Sequence, residues 1–238
     1  AGQAGVRMSD ETSASFEIGP VDKLPSPYYQ DDAVTIYHGD SRAILPLLPA
    51  ADLILTDPPY GLGDLWAGGG GEATKSSWRF DPSEAMQWDS ATVDDVVAML
   101  PTAARHVVIW GGNYYALPPS RCWFLWDKKQ NDQWTTAQAE MAWTNVDRPV
   151  RTFRMAQAEA HGQMKPKEHP TQKPLTLMSW CIEMVRDPTI ATVLDPFMGS
   201  GSTLRAAKDR GLKATGIELD ERYCEIAARR MSQGVLAL

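Results

Sequence analysis

The chain has 238 residues, of which 43% are hydrophobic and 22% charged, an ordinary globular composition that excludes wholesale disorder. Its apolar runs are short (Leu53–Leu55, Val107–Trp110), so no segment is expected to span a bilayer, and no basic-then-apolar leader opens it. The net charge of −7 argues against a uniformly polyanion-binding surface, yet residues 121–175 carry nine Lys and Arg against six Asp and Glu, a basic stretch inside an acidic protein.

Residues 1–30 lack periodicity and read as a flexible lead-in, with Ala1–Arg7 before Met8 as an expression remnant; residues 31–238 read as a single domain. Short apolar runs then alternate with helical stretches. Ala33–Tyr37 is a strand ending at His38-Gly39-Asp40, and Ser41–Leu48 a short helix capped by Ser41. Asp52–Thr56 is a buried strand halted by Asp57-Pro58-Pro59. Residues 61–81 hold Gly61, Gly63, Gly68–Gly71, Trp66 and Trp78, which predicts a mobile loop. Thr92–Arg105 is a helix, followed by strands at His106–Trp110, Cys122–Asp127 and Glu140–Thr144; residues 145–168 are polar, basic and irregular.

After His169-Pro170-Thr171-Gln172-Lys173-Pro174 comes a helix over Leu175–Val185. A strand at Ala191–Leu194 enters Asp195-Pro196-Phe197-Met198-Gly199-Ser200-Gly201, and a helix over Ser202–Arg210 closes at Gly211. A strand at Lys213–Ile217 ends at Glu218, and Glu221–Met231 is the last helix. Alternation of this length means a mostly parallel α/β sheet.

The turn from Asp195 to Gly201 sits where an open α/β sheet binds ligands. Ser202 and Thr203 follow the last glycine where a phosphate loop needs Lys, and Leu204 stands where a dinucleotide fingerprint needs glycine. Glu218, at the end of the next strand, is placed to accept ribose hydroxyls. A glycine turn with a ribose acid and no phosphate chemistry points to an adenosine ligand lacking a diphosphate. Thr56-Asp57-Pro58-Pro59-Tyr60 is the second informative segment. Its prolines fix φ and remove donors, leaving the Asp57 carboxylate and the Pro58 carbonyl as acceptors beside an aromatic face, which suits a substrate amino group.

Taken together and in this order, Asp57-Pro-Pro-Tyr60, His169-Pro-Thr-Gln-Lys-Pro174 and Asp195-Pro-Phe-Met-Gly-Ser-Gly-Ser-Thr203 closely resemble the amino-group DNA methyltransferases, in the arrangement of their β-ordered group. The resemblance runs over about residues 33–231. It implies a Rossmann-like sheet of seven mostly parallel strands in permuted order, the catalytic half before the cofactor-binding half. It further implies S-adenosylmethionine as cofactor and DNA as partner, in the cytoplasm of a bacterial or phage-infected cell. A homodimer or a separate restriction enzyme is compatible with it.

By match to the motifs, Asp57, Pro58, Pro59 and Tyr60 form the catalytic pocket. Asp195, Pro196, Phe197, Gly199, Ser200, Gly201, Ser202 and Thr203 border the cofactor, Glu218 and Leu219 hold its ribose side, and Asp40 meets the adenine amino group. Asp57 and Pro58 border the cofactor as well, and Lys173 and Pro174 lie in its segment. A base inside a duplex must flip out to reach such a pocket, stacking on Tyr60 while Trp66 or Trp78 closes over it. Arg148, Arg151, Arg154, Lys165 and Lys167 are the candidate phosphate contacts, in a recognition insertion at about 145–168 that is short for this family.

The acceptor chemistry suits adenine N6 and cytosine N4 equally. Asp at position 57 leans toward adenine, while RNA as substrate and an idle cofactor- or nucleic-acid-binding module remain open. No histidine spacing suggests a metal, and no Pro-Cys element suggests covalent attack on a ring carbon.

Overall fold

The computed structural model describes residues 23–62, 93–130, 137–163 and 172–233. The expected lead-in therefore lies largely outside the described residues, as do the glycine-rich loop with Trp66 and Trp78, and Lys165 and Lys167.

The strands are β1 (Tyr29–Gln30), β2 (Val34–His38), β3 (Ala51–Thr56), β4 (Ala104–Trp110), β5 (Trp123–Asp127), β6 (Ala139–Thr144), β7 (Arg151–Arg154), β8 (Thr192–Asp195) and β9 (Lys213–Glu218). They form one sheet in the order β1-β2-β9-β8-β3-β4-β6-β5-β7. The five strands from β2 to β4 are mutually parallel, and β6 runs antiparallel to both neighbours. The expected seven strands are the run from β2 to β5. Two further strands extend it: the two-residue β1 pairs antiparallel with β2, and β7 adds a parallel edge to β5. The second of these corrects the irregular reading of 145–168. Phe153 is the one apolar residue of β7, so a short edge strand left no alternation to detect.

The helices are α1 (Ser41–Ile44), α2 (Asp94–Ala103), α3 (Gln157–Gln163), α4 (Leu175–Val185), α5 (Ser202–Lys208) and α6 (Glu221–Ser232). They cover both faces, which is why the central strands read as continuous apolar runs. Leu53, Leu55, Val108 and Trp110 point to the face packed by α4, α5 and α6, whereas Ile54, Val107, Ile109 and Leu194 meet Val96, Val97 and Leu100 of α2. α4 spans the residues its apolar spacing predicts. The cap of α1 differs from the reading: the Asp40 carboxylate, not Ser41, accepts from the Arg42 amide at 2.7 Å, and the helix tightens into a 3₁₀ turn at Leu45–Leu47 where Pro46 enters.

Three parallel strand ends place chemistry on one edge. β3 delivers Asp57, β8 ends in Asp195, and β9 ends in Glu218; β8 lies between the other two. β6 pairs with β4 only through Ala142–Thr144, so its start, with Glu140, rises beyond the end of β4 together with β5. This projection forms a wall beside the strand ends.

Candidate active site

Asp57 stands at the centre of a nearly dry charge cluster. Its Oδ1 accepts from the Tyr60 hydroxyl, and its Oδ2 lies 2.6 Å from Lys173 Nζ. Nζ also donates to the Tyr60 hydroxyl at 3.2 Å and sits 3.2 Å from Glu140 Oε2; Glu140 Oε1 pairs in turn with Lys128 at 2.7 Å. The side chains of Lys173 and Lys128 are only 6% and 9% exposed, which a lone ammonium would not tolerate. Burial pushes the Asp57 carboxyl up, against the pull of Lys173 and of the Tyr60 hydroxyl. Burial would raise Glu140 too, but Lys173 and Lys128 outweigh it and hold that carboxyl at about 2.

The two prolines stand between Asp57 and Tyr60, and the Pro59 carbonyl accepts from the buried Tyr115 hydroxyl. Gly111, just past β4, has φ +66° and lies against the Tyr60 ring. Tyr114, in the 3₁₀ turn that follows, stacks on that ring with centroids 5.0 Å apart.

The same cleft continues into the glycine turn. Its lining runs from Asp57, Gln172 and Lys173 to Asp195, Phe197, Gly199, Ser200, Ser202 and Thr203, and includes Met178 and Met198. Gly199 and Gly201 take φ of +50° and +80°, the left-handed region in which a side chain would be strained. Asp195 Oδ1 accepts from Thr56 Oγ1 at 2.7 Å and from the Phe197 amide at 3.1 Å; burial lifts its carboxyl to about 6. Glu218 accepts from the amides of Gly199 and Asp220, each at 2.9 Å, and burial lifts it to about 7.

The loop after β2 closes the turn from the side. Ser41 Oγ donates to the Pro196 carbonyl, and the Gly39 amide to the Glu218 carbonyl at 2.9 Å. Asp40 is thereby brought near Glu218, although its carboxylate already caps α1 and pairs with Arg42 at 3.3 Å. Leu219 is 63% exposed on the same rim, unusual for leucine. Pro174 caps α4, whose first turns bond back to its carbonyl, so it positions Lys173 rather than facing the cleft itself.

An adenosine ligand fits these residues. Thr203 lies buried on the cleft wall beside the Asp195 carboxylate, two glycines open the backbone to close approach, and a buried carboxylate ends the neighbouring strand. Lys173, expected on the cofactor side, lines the shared cleft and is bonded to the Asp57 carboxylate. Glu140, Lys128 and Tyr114 complete the site without having been singled out in the sequence. A glutamate inside the apolar run Ala139–Trp143 was the available signal.

Among the described residues, the candidate arginines do not converge. The Arg148 guanidinium is spent on the Met184 carbonyl at 3.0 Å. Arg151 and Arg154 are three apart on β7 and so point to opposite faces of the sheet; Arg154, largely exposed, is 3.5 Å from Asp127. Cys122, Cys181 and Cys224 are buried and unpaired, and among the described residues no group of three His, Cys, Asp or Glu could hold a metal. No helix among them is long and apolar enough to cross a membrane.

Comparison with known proteins agrees with this geometry. A family model for DNA methylases of the N6/N4 type matches residues 114–229. The chain is 24% identical to the type II methyltransferase M.ScaI of Streptomyces caespitosus over 87% of its own length and 84% of that protein's. It is 39% identical to the type II methyltransferase M2.LlaDCHI of Lactococcus lactis over a shorter stretch, 28% of this chain and 24% of that one. Among solved structures, the cytosine-N4-specific PvuII DNA methyltransferase superposes with a TM-score of 0.57 at 15% identity, covering 91% of this chain and 92% of that one. M1.HpyAVI superposes with a TM-score of 0.53 at 21% identity, covering 84% and 100%. The matched model, the relatives and the sheet point one way: over residues 114–229 the chain is similar to the DNA methylases of the N6/N4 type, and it shares their fold.

Proposed function

We propose that the chain transfers the methyl group of S-adenosylmethionine to the N6 amino group of an adenine flipped out of DNA. The observation that carries this reading is the shared cleft: the Asp57 carboxylate and the glycine turn after β8 line one cavity, because β3 and β8 are neighbours in the sheet. Asp195, Glu218, Thr203 and the amides of the glycine turn are the residues that would hold the cofactor, which when bound supplies an electrophilic methyl on a sulfonium.

The remaining work falls to the chain. An exocyclic amino nitrogen is a weak nucleophile because its lone pair is delocalised into the ring. Asp57 accepts a hydrogen bond from that nitrogen, and the Pro58 carbonyl a second, since the Pro59 carbonyl is engaged by Tyr115. Both acceptors favour the nitrogen more as positive charge grows on it, so they act in the transition state rather than in binding. The Tyr60 ring carries the base, and the rigid proline pair fixes the approach. Asp at position 57 favours adenine within the family whose motif it resembles, and the short 145–168 segment favours a brief recognition sequence.

The test is labelled methyl transfer to duplex DNA, single-stranded DNA and RNA side by side, followed by nucleoside mass spectrometry. N6-methyladenine from DNA is expected. N4-methylcytosine alone reassigns the base, transfer to RNA alone reassigns the polymer, and no transfer overturns the reading.

A further inference from the structure

Both oxygens of the catalytic carboxylate are taken before any substrate arrives, Oδ1 by the Tyr60 hydroxyl and Oδ2 by Lys173 Nζ at 2.6 Å. An ammonium held against Asp57 neutralises the charge that must draw positive character onto the amino nitrogen, and it repels that character directly. The cluster also contains a second acceptor that the same ammonium holds less closely. Glu140 Oε2 is buried and pairs with the same Nζ across 3.2 Å without well-aligned hydrogen-bond geometry, while Oε1 of that carboxylate is fixed by Lys128 at 2.7 Å. A buried, ionised oxygen held this loosely gains from a shorter and better aligned bond.

We infer that Glu140 is a positioning residue that receives Lys173 from Asp57 when the substrate amino group enters. The amino group replaces Nζ as donor to Oδ2, Nζ closes onto Glu140 Oε2, and the number of buried hydrogen bonds is kept. Asp57 then meets the nitrogen as an unpaired carboxylate, while the ammonium stays in an ion pair instead of stranded. Lys128 matters because it anchors Glu140 from the other side, so that the short shift is made by the lysine rather than by the glutamate. No proton changes hands in this exchange. Glu140 sits on the part of β6 that projects past β4, which is what puts a carboxylate from that strand level with the side chains above β3.

This inference rests on the amino-methyl-transfer reading, and the experiment separates the two. Wild type, Glu140→Gln, Lys173→Met and the double variant are compared as full-length chains on duplex genomic DNA free of amino-methylated bases, with tritiated S-adenosylmethionine and cofactor affinity by calorimetry. Glu140→Gln is expected to lower kcat at least tenfold, with KM for DNA changed less than threefold and cofactor Kd less than twofold. Because Glu140 acts through Lys173, adding Glu140→Gln to Lys173→Met is expected to change kcat less than threefold. Should Glu140→Gln not fold, Glu140→Asp withdraws the same oxygen by one methylene and makes the same comparison. An undiminished kcat in the Glu140 variant, or the same tenfold loss on the Lys173→Met background, overturns the inference alone. Absence of transfer by the wild type overturns the functional reading and this inference with it.

Discussion

A Cβ placed on Gly111 would fall 2.0 Å from Cε1 of Tyr60, closer than any two such carbons approach. Gly111 also holds φ +66°, so its missing side chain serves both the turn after β4 and the seating of the Tyr60 ring. Gly111→Ala is expected to cost about 1–3 kcal/mol of stability, the usual scale for strained backbone, and to push Tyr60 away from Asp57. Thermal melting reads the first effect. A loss of methyl transfer larger than the melting shift explains, with cofactor affinity kept, reads the second; an alanine variant with full activity would show that the ring has room.

Glu218 gives the fold a pH signature. Its carboxyl is ordinarily near 4.5 and burial lifts it to about 7, so the folded chain holds the proton more tightly than the unfolded one. The contribution is therefore fully present below pH 4.5 and is lost as pH rises through 7, on the order of 3 kcal/mol in all. Glu218→Gln should flatten the melting temperature across pH 5–8, gaining most over wild type at pH 8. Asp195, lifted to about 6, leaves a smaller slope of the same sign. The same variant should weaken S-adenosylmethionine at pH 8, and unchanged calorimetric affinity would remove Glu218 from the cofactor site.

Asp57→Ala is expected to abolish transfer while leaving cofactor affinity within a few fold. The fold should survive because Lys173 keeps an ion pair with Glu140 when its partner is removed. Activity above one hundredth of wild type would mean that a backbone carbonyl, not this carboxylate, is the principal acceptor.

For the basic segment the structure separates residues that the sequence groups together. Arg154→Ala should reduce the slope of log K against log salt for DNA by about one unit, the release of one counterion. Arg148→Ala should leave that slope alone and lower the melting temperature instead, since it breaks the bond to the Met184 carbonyl at the end of α4. Equal slopes for Arg154→Ala and wild type would place the phosphate contacts elsewhere.

Local patterns carry much of this architecture. The apolar spacing from Leu177 to Val185 defines α4 to the residue, and the glycines and prolines mark both active turns, because each acts within a few residues of itself. What escapes the sequence is built across strands. Lys128 and Glu140 meet only because β5 and β6 are paired, and Lys173 joins them from a loop before α4; no spacing along the chain announces such a cluster. Asp40 and Ser41 are both good capping residues, and only the turn at Gly39 decides between them. The helix Gln157–Gln163 is polar and short, so its composition resembles that of a loop.

The register Leu53↔Val193 and Ile54↔Leu194 joins strands separated by more than half the chain, with Thr56 and Asp195 bonded across the seam. During synthesis β3 meets β4 early, but its other edge stays open until β8 is made. Contacts so distant in sequence close late and slow the search for the native state. Asp57 and the glycine turn are thus brought side by side only when β8 docks against β3. A nascent or truncated chain ending before Thr192 leaves the apolar edge of β3 that β8 covers without its partner, a template for aggregation.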